Sequence, residues 1–244
     1  MKAIRLLVGA VLVAGCAVRA QEAPAAPAAG AAGAPERSER GPVLMVGDSM
    51  MKLLSIAFEK EFRKRGIEAA SFASLGSGLV RLDAFDWFGK VNELMDAHRP
   101  GTVVVVLGAN DDQTLLSDSG VTVARGSDLW DQAYAGRLAK MMDLFAAKRA
   151  RRVIWILLPD MQQPVQNRYA EHFNALLAGV AKDRPFVTIF DPRPSLRRRT
   201  KDAYTATLVG PDGQIIQVRA ADGVHLSKDG AERVAAAVVQ AYWK

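Results

Sequence analysis

Val43-Leu44-Met45-Val46-Gly47-Asp48-Ser49-Met50 is the stretch from which the rest of the chain can be read. Four apolar residues form a strand candidate, and Gly-Asp-Ser follows without a spacer. From Met50 to Arg65 the pattern turns helical, with Leu53, Leu54, Ala57, Phe58 and Phe62 on one face. A serine at such a strand-to-helix turn holds its hydroxyl clear of the backbone. The first N–H groups of the helix behind it lack intrahelical partners and can stabilise a negative oxygen. The arrangement suits a nucleophile, which in turn needs a base, an orienting carboxylate and further oxyanion donors.

The same rhythm continues outward from this turn. Gly66 closes the helix, Ile67 to Ala73 can form a second strand, and the glycine-rich loop Ser74-Leu75-Gly76-Ser77-Gly78 follows. Ala84 to His98 is helical in pattern and is stopped by Pro100. Thr102 to Leu107 is a continuous apolar, β-branched run, as in a strand buried on both faces, and leads straight into Gly108-Ala109-Asn110-Asp111-Asp112. Helical patterns over Asp128–Arg149 (capped by Ser127 or Asp128), Gln166–Lys182 and Lys228–Tyr242 alternate with strand candidates at Arg152–Leu158 and Phe186–Phe190. This alternation predicts an α/β fold, a central parallel sheet covered by helices on both faces. Tyr204 to Ala220 departs from it. Alternating residues around Gly210-Pro211-Asp212-Gly213 read as a β-hairpin insertion just before Asp222–His225, either flanking the site or forming a surface excursion.

At 244 residues the chain can fill one substantial domain, placed at residues 42–244. The net charge of +6 owes part of its excess to Arg197, Arg198, Arg199 and Lys201, read as a solvated basic face. No nucleic-acid-binding signature accompanies it, so no nucleic-acid partner is expected. Residues 1–20 have the form of a signal peptide, with Lys2 and Arg5 ahead of the apolar run Leu6 to Val13. Val13-Ala14-Gly15-Cys16 resembles a lipobox, in which Cys16 would be acylated; Val18-Arg19-Ala20 offers the competing site for ordinary cleavage. Residues 21–41, rich in Ala, Pro and Gly, read as a flexible linker. The expectation is an exported protein, periplasmic or anchored to the outer membrane as a lipoprotein, touching the membrane only through an N-terminal lipid.

In parallel α/β sheets, sites form beyond the carboxyl ends of the strands. Gly47-Asp48-Ser49, Gly76-Ser77-Gly78 and Gly108-Ala109-Asn110-Asp111 each follow a strand candidate and should open on one edge. Of the three histidines, His98 reads as a helix-end residue and His172 as a surface residue, whereas His225 lies in Asp222-Gly223-Val224-His225-Leu226 before the last helix. Asp222 is near enough in sequence to orient His225 and to stabilise its protonated form. The Ser49 N–H, a glycine N–H of the second loop and the Asn110 side-chain amide are candidate oxyanion donors. No histidine pair has ligand spacing, no cysteine is available to a metal, and Gly76-Ser77-Gly78 lacks a phosphate-binding lysine and dinucleotide spacing. Neither metal nor cofactor is therefore expected.

Taken together, Gly47-Asp48-Ser49, the loop glycine, Gly108-x-Asn110-Asp111 and Asp222-x-x-His225 resemble, in order, the four blocks of the SGNH/GDSL hydrolase superfamily. The resemblance covers about residues 43–242. Gly78-Leu79-Val80-Arg81, Phe85-Asp86-Trp87 and Asp222-Gly-Val-His-Leu226 look like an exported bacterial subgroup of largely unassigned function. The resemblance implies a three-layer α/β/α sandwich of the flavodoxin-like SGNH type. It implies Ser49 as nucleophile, His225 as base, Asp222 as its partner, and an oxyanion hole of the Ser49 N–H, Gly78 and Asn110. Gly76 is the alternative to Gly78, and Met50 stands where the family usually has leucine. Asp48 is expected to fix its turn through local hydrogen bonds and Asp111 to support the Asn110 loop. Arg81, Trp87 and Trp130 are expected to serve packing rather than to line a glycan cleft.

The function expected is an exported serine esterase that removes ester-linked acyl groups, chiefly O-acetyl, from a carbohydrate or envelope substrate. Two alternatives are an O-acetyltransferase acting on a cell-envelope glycan and a non-catalytic glycan-binding envelope lipoprotein.

Overall fold

The computed structural model describes residues 41–117, 119–197 and 204–243. Cys16, the signal peptide, nearly all of the linker, and Arg198, Arg199 and Lys201 of the basic run lie outside the described residues.

Five parallel strands form the central sheet: β1 (Val43–Gly47), β2 (Ala69–Ala73), β3 (Thr102–Val106), β6 (Arg152–Ile156) and β7 (Val187–Phe190), in the order β2-β1-β3-β6-β7. Alternate residues of the inner strands face opposite layers. Leu44, Val46, Val103, Val105, Val153 and Trp155 pack against α2 (Trp87–His98), α3 (Asp128–Ala147) and α4 (Pro164–Ala181). Met45, Val104, Val106, Ile154 and Ile156 pack against α1 (Ser49–Arg63) and α5 (Lys228–Tyr242). Burial on both faces is why these strands read as unbroken apolar runs and not as alternating ones. The three-layer α/β/α sandwich expected from the sequence is the fold observed.

Two antiparallel ribbons interrupt the alternation. The expected insertion is β8 (Thr207–Val209) paired with β9 (Ile215–Gln217), turned at Gly213 with φ of 81°. A second ribbon, β4 (Leu115–Leu116) with β5 (Thr122–Val123), follows β3 and has no counterpart in the sequence reading. Helix α2 begins at Trp87 rather than Ala84, because the Asp86 side chain accepts a hydrogen bond from the Gly89 N–H and caps it there. Trp87 and Trp130 are buried in the core, and Arg81 is exposed and paired with Asp83.

The chain leaves β1 for β2 on one side and returns to place β3 on the other, so the order reverses between β1 and β3. Loops diverge at such a point and leave a crevice beyond the strand ends. The strands approach closely there: a Cβ on Gly47 would lie 2.0 Å from the Val106 carbonyl oxygen and 2.8 Å from the Met51 Cβ. Gly47→Ala is therefore expected to lower unfolding free energy by about 3 kcal/mol or more, read by chemical denaturation, since neither backbone can yield without breaking the β1–β3 ladder.

Candidate active site

Asp48 is the N-cap of α1, and its Oδ1 accepts from the Met50 N–H at 2.9 Å. That cap places Ser49 in the first turn of the helix, half-buried at the sheet edge. On the other side of the sheet reversal, Asp48 Oδ2 accepts from the Gly108 and Ala109 N–H groups, each at 3.0 Å. The expected role was local; the structure adds this second half, which ties the serine turn to the loop after β3. No sequence signal marks it, because the partners are backbone groups 60 residues away.

Asp111 joins the next pair of loops. Its carboxylate accepts from the Leu79 N–H at 3.0 Å, the Val80 N–H at 2.9 Å and the Tyr134 hydroxyl at 2.6 Å. It thus holds the loop after β2, beyond the Asn110 loop for which it was singled out. Arg137, buried on α3, donates to the Leu79, Val80 and Leu116 carbonyls and supports the same loop from below. Sequence reasoning passed over Arg137, Tyr134 and Gln113, whose Nε2 donates to the Asn110 carbonyl at 2.7 Å. Each lies in a stretch without an unusual pattern.

These two aspartates set the oxyanion candidates. Asn110 Nδ2 donates one hydrogen to the Ser77 carbonyl at 2.9 Å, which brings the amide beside Gly78. A Cβ on Gly78 would lie 2.0 Å from Asp111 Oδ1, so the loop passes over the carboxylate only as glycine. Gly76 is different: it is exposed, has φ of 71°, and a Cβ there would meet nothing within 4 Å. Gly76 thus serves the turn, while Gly78 lies against Asp111, next to the residue whose carbonyl Asn110 binds.

His225 Nε2 lies 2.8 Å from Ser49 Oγ, and His225 Nδ1 lies 2.7 Å from Asp222 Oδ2. The three side chains form one continuous chain of hydrogen bonds. Asp222 Oδ1 also accepts from the Val224 and His225 N–H groups, at 2.8 and 2.9 Å. Partial burial pushes the Asp222 carboxyl up, but the His225 side chain and these two N–H groups outweigh it and hold the pKa at about 2. Asp222 is thus anionic at any ordinary working pH, ready to orient an imidazole and to stabilise an imidazolium. The other histidines stand apart: His172 pairs with Asp131 at 2.8 Å, and His98 ends α2.

The geometry supplies what acyl transfer through a serine needs. An imidazole nitrogen is placed to take the Ser49 proton, a carboxylate stands behind it, and amide donors line the turn. Among the described residues no group of three or more metal-ligating side chains occurs.

Asp48 gives this site a pH signature. It is fully buried, and desolvation raises its pKa to about 6 against the lowering effect of its three N–H donors. A raised carboxyl pKa means the folded state binds the proton more tightly, so stability grows as pH falls through 6 toward 3.8 and is lost as it rises again. An asparagine there does not titrate. The unfolding free energy of the wild type, measured relative to Asp48→Asn, should rise by about 3 kcal/mol from pH 7 to pH 3. A pH-independent difference in denaturant titrations would contradict the burial argument.

Comparisons with known proteins agree with the fold. A protein from Slackia heliotrinireducens, provisionally described as an SGNH hydrolase, superposes with a TM-score of 0.56 at 15% identity, covering 82% of this chain and 98% of that one. The periplasmic domain of a lipopolysaccharide acetyltransferase from Salmonella ser. Paratyphi A superposes with a TM-score of 0.51 at 13% identity, covering 84% of each chain. At these identities the likeness is one of fold: this is the SGNH hydrolase fold. No curated protein matches the sequence significantly. The family model described as "Protein of unknown function (DUF459)" matches residues 42–241, most of the chain, and the chain belongs to that family.

Proposed function

We propose that the protein is a serine esterase that cleaves ester-linked acyl groups, chiefly O-acetyl, from a carbohydrate or envelope substrate through an acyl-enzyme. The observation that carries this reading is the unbroken Ser49–His225–Asp222 hydrogen-bond chain at the reversal of the sheet. His225 Nε2 takes the Ser49 proton as Oγ attacks the ester carbonyl. The resulting oxyanion is held by the Ser49 and Gly78 N–H groups and the second Asn110 amide hydrogen. His225 then returns the proton to the leaving alkoxide, the alcohol departs, and water, deprotonated by His225, releases the acid and frees Ser49.

The side chains of Asp222 and His225 are 49% and 35% exposed, so the base stands at an open rim. An open rim favours a short acyl group carried on a bulky polar body over a long chain that needs an enclosed apolar channel. The fold shared with a lipopolysaccharide acetyltransferase domain supports a second reading in which a sugar hydroxyl replaces water as acceptor. The two readings use the same residues. They separate on whether an added glycan acceptor speeds turnover of an activated acetyl donor and itself becomes acetylated.

Ser49→Ala should reduce hydrolysis of p-nitrophenyl acetate by about a thousandfold or more while the protein stays folded, and should abolish covalent labelling by a fluorophosphonate. Turnover persisting at the wild-type rate would remove Ser49 as the nucleophile, whereas a folded wild type that neither labels nor turns over ester would support the glycan-binding alternative.

We further propose export with acylation at Cys16. Metabolic labelling with an alkynyl fatty acid should mark the wild type and not Cys16→Ser. Equal, absent labelling in both would favour cleavage after Ala20 and a soluble periplasmic protein.

A further inference from the structure

The loop that carries Asp222 and His225 encloses a buried cation. Arg219 is 1% exposed, and its guanidinium is spent on backbone carbonyls. Nη2 donates to the Val224 carbonyl at 2.7 Å and also reaches that of Gly223 at 3.4 Å; Nε lies 3.4 Å from the His225 carbonyl. Nη1 donates to the Asp160 carbonyl, on the loop between β6 and α4. The Tyr204 ring covers the group, its centroid 4.8 Å from the guanidinium carbon. Around this centre the backbone closes on itself: Arg219 pairs with Leu226 as an isolated bridge, and the Ala220 N–H donates to the His225 carbonyl at 2.9 Å. The Gly223 carbonyl is also taken by the Gln162 N–H at 3.0 Å, a second tie to the β6–α4 loop.

Placing a guanidinium here is costly. Desolvation depresses the Arg219 pKa, and among the described residues no carboxylate hydrogen-bonds to it; the Asp160 side chain is engaged with Arg197. Asp160 and Asp222 favour its charge through space. If closing a turn were the only requirement, an uncharged donor would meet it at lower desolvation cost. What the planar fork adds is reach: it binds three successive carbonyls of the catalytic loop and one of a neighbouring loop at once, in fixed directions.

We infer that Arg219 is a positioning residue of the active site: its buried guanidinium holds the backbone on which His225 rides and fixes the imidazole between Asp222 and Ser49. The inference rests on the serine-esterase reading for its kinetic consequence but not for its structural one. A histidine base displaced by about 1 Å loses on the order of a hundredfold in rate, with little change in substrate binding.

The test uses Arg219→Gln and Arg219→Lys in the full chain, with thermal denaturation to verify folding. In Arg219→Gln, kcat on p-nitrophenyl acetate should fall by about thirtyfold or more with KM within about threefold, and Arg219→Lys should restore part of the loss. Proton NMR of ¹⁵N-histidine-labelled protein reads the same point without turnover. The downfield Nδ1–H signal of His225, assigned by its loss in His225→Ala, should be present in the wild type, absent or broadened in folded Arg219→Gln, and recovered in part in Arg219→Lys. A folded Arg219→Gln that keeps both kcat within threefold and an unchanged His225 signal would overturn the inference, as would Arg219→Lys faring no better than glutamine. A wild type without ester turnover would end the esterase reading and leave the NMR comparison to decide on Arg219.

Discussion

Two carboxylates held out of water, Asp48 and Asp111, are what the reacting edge depends on. Three loops leave the ends of β1, β2 and β3, and nothing in strand pairing obliges their tips to keep company. Asp48 binds the first loop to the third, and Asp111 binds the third to the second. Each spends its oxygens on backbone N–H groups that would otherwise be left without partners in the interior, where an unmet donor costs on the order of 1–3 kcal/mol. The carboxylates bear a desolvation penalty of their own, seen in the raised pKa of both. Burial thus opposes stability and secures geometry with the same groups. Arg219 repeats the device with opposite sign, using a cation to gather carbonyls where the aspartates gather amides.

The layers of the sandwich explain why the serine and the histidine meet. Helices α1 and α5 share one face of the sheet, with Phe58, Phe62, Val234, Val238 and Trp243 in a common core. Both begin at the edge where the parallel strands end. Ser49 opens one helix, and His225 lies just ahead of the Ser227 cap of the other, whose hydroxyl accepts from the Gly230 N–H at 3.0 Å. Ser49 and His225 therefore belong to one packed layer, although 176 residues separate them in sequence. The loops that carry Gly78 and Asn110 approach from the ends of β2 and β3.

How much of this the sequence discloses depends on whether the interaction is local. The run Thr102 to Val106 declares a doubly buried strand because its residue types alone report burial on both faces. Lys228 to Tyr242 is legible to the residue, since Ser227 supplies an unambiguous start. The hairpin at β8 and β9 announces itself through Gly-Pro-Asp-Gly. The ribbon at β4 and β5 escapes notice because two residues per strand establish no period. Asp48 and Asp111 stood out by motif, yet their long-range bonds did not, for backbone partners carry no letter in the sequence. Arg137, Arg197 and Arg219 look like solvated cations until the fold surrounds them with carbonyls or, for Arg197, with the Asp160 carboxylate.

The rim at Asp222 and His225 opens to solvent. On the esterase reading, an acyl-enzyme formed there faces bulk solvent and any docked alcohol through the same mouth, and a single imidazole activates whichever arrives. The fate of the acyl group is then a kinetic competition, set by how long a hydroxyl resides over His225 compared with the time water needs to react. On the same reading, changes in the surface around the mouth would be enough to shift the balance between releasing and transferring the acyl group, with the reacting groups left untouched.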